Sequence, residues 1–224
     1  MHFIIYILSI KNSERREHVE LLADKLLEKG CHSVEIVDAI YWKECDIMHL
    51  LHELNIELKT SLSTAQIACF LTHRKSWEII ANKDKDVDAI HIILEDDMDI
   101  PMDFSIENLE KVYTSIDKND CDSIFLYKHP EQFSDKNARH NEYLFKHYFQ
   151  WGFCAYSISP GFAKELCDYV KYIDKPVDNQ LQEELFTTKK NRIFYTIQDY
   201  FNNIGFLGGY GYYGDYRFKS HIWV

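Results

Sequence analysis

Hydrophobic positions along the chain follow two periods. Residues 3–9 form an unbroken apolar run closed by Lys11, Asn12 and Ser13, which predicts a strand covered on both faces. Val19, Leu22 and Leu26 then fall at i, i+3 and i+7 within 14–29, the spacing of a helix, and Gly30 sits where a left-handed C-terminal cap belongs. Alternation resumes over 33–37. Strand, helix, strand is the opening of a parallel α/β sheet. Ile47, Leu50, Leu51 and Leu54 repeat the helical spacing, and Ser63 with Gln66 offers an S-x-x-Q capping box before Ile67, Phe70, Leu71 and Trp77. Asp86 and Asp88 flank the entry to a second buried-strand run, 89–94, which stops abruptly at Glu95, Asp96 and Asp97. Strands are also expected at 123–127 and 153–159. A helix should start at Ser159-Pro160 and run to about Val170, and Asp178 is placed to cap another through Leu185.

With no internal repeat and no low-complexity linker, residues 1–224 read as a single domain, and 46% hydrophobic with 15% aromatic residues supplies a core and excludes disorder as the main state. The end differs in kind: five of the eight glycines (Gly205, Gly208, Gly209, Gly211, Gly214) alternate with tyrosines, so about 203–224 reads as a Gly/Tyr-rich loop. A net charge of −11 disfavours nucleic acid as a partner. No apolar run approaches the roughly 18 residues of a membrane span, and residues 3–8 lack the basic leader and cleavage site of a secretion signal. Six scattered cysteines form neither a C-x-x-C pair nor a zinc-spaced cluster. The expected location is therefore cytoplasmic, with reduced thiols.

The strand that ends in carboxylates carries the chemistry. Ligands of open α/β sheets bind beyond the carboxyl ends of the strands. Strand alternation would place Glu95 and Asp97 on one side and Asp96 on the other. Like charges packed together call for a cation, and all-oxygen ligands suit Mg²⁺ or Mn²⁺. A solvated acidic turn is the plainer alternative.

Several separated motifs resemble glycosyltransferase family 25, the lipooligosaccharide and collagen sugar transferases. Leu8-Ser9-Ile10 through Arg15-Arg16 is similar to the family's opening "I-S/N-L … R-R". Residues 63–77, read S-x-x-x-x-x-C-x-x-x-H-x-x-x-W, resemble its "E-x-x-C-x-x-S-H-x-x-x-W" helix, and Ile93-Leu94-Glu95-Asp96-Asp97 its "L-E-D-D" element. Trp151-Gly152, Ala155-Tyr156 and Ile158-Ser159 look like "W-G-x-x-G-Y-x-I-S", and Pro176-Val177-Asp178 like "P-[IV]-D". Departures are Gln66 for Glu, Thr72 for Ser and Ala155 for the second Gly; the last suggests tolerance of a Cβ near the donor.

The resemblance implies a GT-A type fold, with a Rossmann-like, mostly parallel central sheet flanked by helices. It also implies metal-assisted, inverting transfer of a hexose, galactose or glucose, from a UDP-sugar to a saccharide acceptor. Asp97 is assigned as direct metal ligand, Glu95 as second ligand or ribose contact, and His221 as a third ligand folding back from the tail. Asp96 orients either of the first two. Asp178 is the candidate base for the acceptor proton, or else only a helix cap. Arg15 and Arg16 open a helix where acids are usual, so one of them is expected to face a diphosphate; a solvated helix face is the alternative. His73, in register with Trp77 at i, i+4, either contacts the donor or fixes its helix to the sheet. Ser9 joins the donor site through the opening motif. Trp151-Gly152 offers an indole to stack on a sugar and a close backbone approach, or else Trp151 is core. A lipooligosaccharide or other glycan is the expected acceptor; one on a lipid anchor would need a local basic surface such as Lys189, Lys190 and Arg192. A metal-dependent phosphohydrolase and an inactive nucleotide-binding relative remain alternative readings.

Overall fold

The computed structural model describes residues 1–83, 88–128, 139–146 and 152–204. In chain order the strands are β1 (His2–Ser9), β2 (Ser33–Asp38), β3 (Glu57–Leu58), β4 (Ala89–Glu95), β5 (Met98–Asp99), β6 (Ser123–Phe125), β7 (Leu144–Lys146), β8 (Ala155–Ile158), β9 (Tyr172–Ile173), β10 (Ile193–Thr196) and β11 (Asn202–Asn203). The helices are α1 (Arg16–Glu28), α2 (Ile47–Glu53), α3 (Thr64–Ala81), α4 (Ile106–Thr114), α5 (Pro160–Tyr169) and α6 (Val177–Leu181), the last continuing into a π-helical turn, Gln182–Phe186.

Seven strands form the central sheet in the order β2-β1-β4-β8-β6-β10-β7. β1 is parallel to β2 and β4, and β6 to β10, whereas β8 runs against β4 and β6 and β7 runs against β10. The sheet is thus mostly parallel, with β8 and β7 the reversed strands, and helices cover both faces as expected. Strand alternation explains the two covers: Phe3, Ile5, Ile7, Ile92 and Leu94 enter a core with Leu22 and Leu26 of α1 and Leu109 of α4. Tyr6, Leu8 and Ile93 point the other way, into a core with Phe70 and Trp77 of α3 and Phe162 of α5.

Local signals set the helix ends. Gly30, at φ 98°, closes α1: its own amide donates to Leu27 and the Cys31 amide to Leu26, both at 3.0 Å, the paired bonds of a Schellman turn. At α3 the Ser63 hydroxyl accepts from the Gln66 amide at 3.2 Å while the Gln66 side chain accepts from the Ser63 amide at 3.0 Å, completing the capping box. Ser159 caps α5 ahead of Pro160.

Three expectations change. Pro176 occupies the cap position of α6, so Asp178 lies inside the first turn and its carboxylate turns away to the Gly152 amide. Ala155, whose Cβ is expected only to lie near a donor, is buried in the core of the α1 face beside Leu94, so its Cβ is also a packing feature. Residues 202–204, at the expected start of the loop, instead pair: β11 runs antiparallel to β5, and the Ile204 amide donates to the Asp97 carbonyl at 2.7 Å. Asp86, Trp151, His221 and the Gly/Tyr-rich stretch 205–224 lie outside the described residues.

Because its hydroxyl satisfies one of the orphan amides of α3, Ser63→Ala is expected to lower stability by about 1 kcal/mol in urea denaturation with an unchanged slope, while Gln66→Glu, which keeps the box, leaves the midpoint nearly unmoved.

Candidate active site

The register brings the carboxyl ends of three parallel strands level, with Leu8 beside Glu95 and Ser9 beside Asp38. Beyond these ends, against the first half of α3, lies a cavity of about 110 Å³. One wall is apolar, with Leu8, Ile10, Ile40 and Trp42; the other carries Arg15, His73, Glu95, Asp96 and Asp97. Among the described lining residues Arg15 is the sole fixed cation against three carboxylates.

β4 stops at Glu95, and Asp96 and Asp97 form a turn before β5. Strand alternation therefore does not reach Asp96, and all three acids face the same cavity in different surroundings. Glu95 Oε1 lies 3.1 Å from His73 Nε2. Asp96 accepts from Arg15 Nη1 at 2.5 Å, and the same nitrogen is 3.9 Å from Asp97 Oδ2. Asp97 Oδ1 is buried and has no hydrogen-bond partner among the described residues.

These surroundings set the charges. Burial pushes the Glu95 carboxyl up, but the His73 N–H, helped by the Cys154 thiol and Arg15, overcomes it and holds Glu95 below its ordinary value. For Asp97, burial and the neighbouring charges of Glu95 and Asp96 win over Arg15 and Asn203, and the carboxyl is pushed up to about 7. Burial opposes the charge of Arg15, yet Asp96 and Asp97 more than offset this and raise it above its ordinary range. The site holds more negative charge than it neutralises.

Of the two roles expected of His73, the structure shows the one that fixes its helix to the sheet. Its ring is 1% exposed, with Nδ1 3.0 Å from the Tyr156 hydroxyl, which in turn accepts from Trp77 Nε1 at 2.8 Å. With the ring proton on Nε2 every donor in this row finds an acceptor: indole to hydroxyl, hydroxyl to Nδ1, Nε2–H to Glu95. The imidazole thereby pins α3 to β8 and presents Glu95 to the cavity. Thr72, at the family's serine position, accepts from the Ile40 amide at 3.0 Å and donates to the Ala68 carbonyl at 2.8 Å, tying the apolar wall to the same helix.

Other expected residues lie apart from the cavity wall. Arg16 pairs with Asp38 at 2.9 Å and Glu20 at 3.5 Å on the outer face of α1, so Arg15 is the member of the pair that meets the acids. Ser9 is fully buried under the cavity between Leu8 and Ile10, its carbonyl accepting from the Ala39 amide at 2.8 Å. Gly152, at φ 82°, donates its amide to Asp178 Oδ2 at 2.9 Å, and Asp178 Oδ1 accepts from Asn179 at 2.9 Å. The charge of Asp178 reaches Cys69 and Cys154, the thiols that flank Glu95.

Sequence reasoning missed Trp42, Cys69 and Cys154. Cys69 had a signal, since it precedes His73 by one helical turn; Trp42 and Cys154 reach the site only through folding. The acids offer two donor sets within 4.8 Å: Glu95, Asp97 and Cys154, and Cys69, His73 and Glu95.

The sequence profile of Glycosyltransferase family 25 (LPS biosynthesis protein) matches residues 2–181. The chain belongs to glycosyltransferase family 25. The match encloses Arg15, His73, the Glu95–Asp97 turn and Asp178, and so covers the cavity wall of this family 25 protein. Its fold is similar to the crystal structure of a glycosyltransferase involved in the glycosylation of the major capsid of PBCV-1, with a TM-score of 0.51 and 10% identity over 89% of this chain and 82% of that one. Mouse xyloside xylosyltransferase 1, apo form, aligns with a TM-score of 0.37 and 8% identity over 86% and 83% of the two chains. No curated protein sequence matches significantly.

The Asp97 carboxyl generates a pH signature. Its ordinary value is 3.8 and its value in the fold about 7, so the native state holds a proton that the unfolded chain releases. That contribution to stability is complete below about 4 and is lost as the pH rises through about 7. In chelator-containing buffer, Asp97→Asn is expected to melt with wild type at pH 4 and clearly above it at pH 8; equal melting at both would show that Asp97 is not a crowded acid.

Proposed function

We propose that this family 25 protein transfers a hexose, galactose or glucose, from a UDP-sugar to a saccharide hydroxyl with inversion, using Mn²⁺ or Mg²⁺ held by Glu95 and Asp97. The observation that carries this reading is the buried Asp97 Oδ1, without a hydrogen-bond partner among the described residues, beside Glu95 at the carboxyl end of a parallel strand. Two carboxylates, one of them with an unsatisfied oxygen, fit a hard divalent ion that completes its shell with phosphate oxygens. A cation held there supplies neutralisation to the diphosphate as it leaves.

The chain's own residues do the remaining work. Arg15, already oriented by Asp96, adds positive charge beside the diphosphate position. His73 keeps Glu95 ionised and aimed. The wall of Leu8, Ile10, Ile40 and Trp42 suits the flat, partly apolar nucleobase and excludes water from that side. Asp178 takes the acceptor proton: each of its oxygens spends one lone pair on a backbone amide and keeps another for a hydroxyl.

Among the described residues no helix is long and apolar enough to cross a membrane. The basic surface that a lipid-anchored acceptor would need is largely engaged: Arg192 grips Asp122 through two bonds at 2.8 and 2.9 Å, and Lys189 lies 2.8 Å from Glu165. A lipooligosaccharide or other glycan acceptor is accordingly proposed to be met through its sugars.

With UDP-galactose or UDP-glucose, manganese and a panel of saccharides, UDP release should depend on the saccharide; equal release without one would point to hydrolysis instead. Asp97→Ala is expected to abolish transfer while the protein melts within a few degrees of wild type. Asp178→Asn should lower turnover by about two orders of magnitude or more with donor affinity little changed, as measured by steady-state kinetics and UDP titration. A variant of Asp178 with full turnover would remove it as the base.

A further inference from the structure

Cys69, His73 and Glu95 bring a thiol, an imidazole nitrogen and a carboxylate within 4.8 Å of one another on the cavity wall. Cys69 and His73 are one turn apart on α3 and so project in the same direction, and Glu95 faces them from the end of β4. The donor set is unlike the two oxygens ascribed to the hard ion: sulfur, nitrogen and oxygen together suit a borderline-soft ion. Three protein ligands with a fourth side open to a cavity is also the arrangement of an exchangeable zinc site. A supporting shell is present, because the far nitrogen of His73 is held by Tyr156 and the hydroxyl of Tyr156 is held by Trp77.

We infer that Cys69, His73 and Glu95 form a second cation site, selective for zinc-like ions, which shares Glu95 with the hard-metal position and so competes with it. On binding, the thiol proton passes to solvent as the S–Zn bond forms, the ring proton of His73 moves from Nε2 to Nδ1, where the Tyr156 hydroxyl oxygen accepts it, Nε2 binds in place of its bond to Glu95, and one carboxylate oxygen of Glu95 completes the set. Thiolate and carboxylate together cancel the charge of the dication, so the occupied site is neutral while Asp97 loses its companion ligand. Zinc is thereby an antagonist of manganese at this wall. The zinc site stands on the side-chain geometry alone, whereas its competition with manganese rests on the hard-metal reading proposed above.

Cobalt(II) replaces zinc and reports a thiolate ligand by a near-ultraviolet charge-transfer band. Titrating the full-length, metal-stripped protein with cobalt, without donor or acceptor, is expected to develop this band to one equivalent, and one equivalent of zinc should bleach it whereas an equal amount of magnesium should not. Cys69→Ser should lose the band while melting near wild type, and Cys154→Ser should keep it. Absence of the band in wild type, its persistence in Cys69→Ser, or its loss in Cys154→Ser alone would overturn the assignment. Since no readout involves sugar transfer, failure here leaves the transferase reading standing, and failure of transfer leaves the cobalt band to be judged by itself.

Discussion

Three carboxylates share the end of one strand, and the arrangement of their neighbours follows from the need to make that tolerable. Coulomb repulsion between ionised acids a few ångströms apart is strong once water is partly excluded. The chain meets it unequally: His73 takes Glu95, Arg15 takes Asp96, and Asp97 is left with a partnerless oxygen and a raised affinity for a proton. A proton and a divalent ion are alternative answers to the same deficit of positive charge. Local instability of this kind costs the fold around it stability that a bound positive charge would restore.

The rest of the architecture serves to hold that turn still. α3 is anchored at its start by the capping box and towards its end by Trp77, fully buried in the core between sheet and helices. From that anchor the row of Tyr156 and His73 leads to Glu95, and Thr72 leads to the wall at Ile40. One helix therefore positions both the polar and the apolar side of the cavity, and a change in its packing is felt at both. On the far side, β5 and β11 clasp the turn, with the Ile204 amide on the Asp97 carbonyl. Asp97 is thus held by a backbone bond while its Oδ1 is left without a hydrogen-bond partner among the described residues.

Long periodic segments were legible before folding was considered. β1, α1, α3 and β4 each bury a whole face, so their apolar residues recur at the period of the element, and Gly30 and Ser63 marked their ends. The short strands β5, β7 and β11 were not legible, because two or three residues contain no period and pair only where the tertiary structure brings a partner. Asp178 shows the same limit at a single residue. A carboxylate near a helix start has the look of a cap, but the fixed φ of Pro176 takes that place, and the Gly152 amide from a distant segment claims the side chain.

The candidate site divides along the same line. Sequence by itself determined the acidic strand end, the helix carrying His73 and the family to which both belong, since each is a local pattern of residue types written along a continuous stretch. Tertiary structure alone decided which arginine meets the acids, that strand alternation lapses after Glu95 so that all three carboxylates face one cavity, and that Trp42, Cys69 and Cys154 stand beside them. Those outcomes depend on contacts between residues dozens of positions apart. Burial and mutual charge, which shift Glu95 and Asp97 in opposite directions, exist only once such contacts have formed.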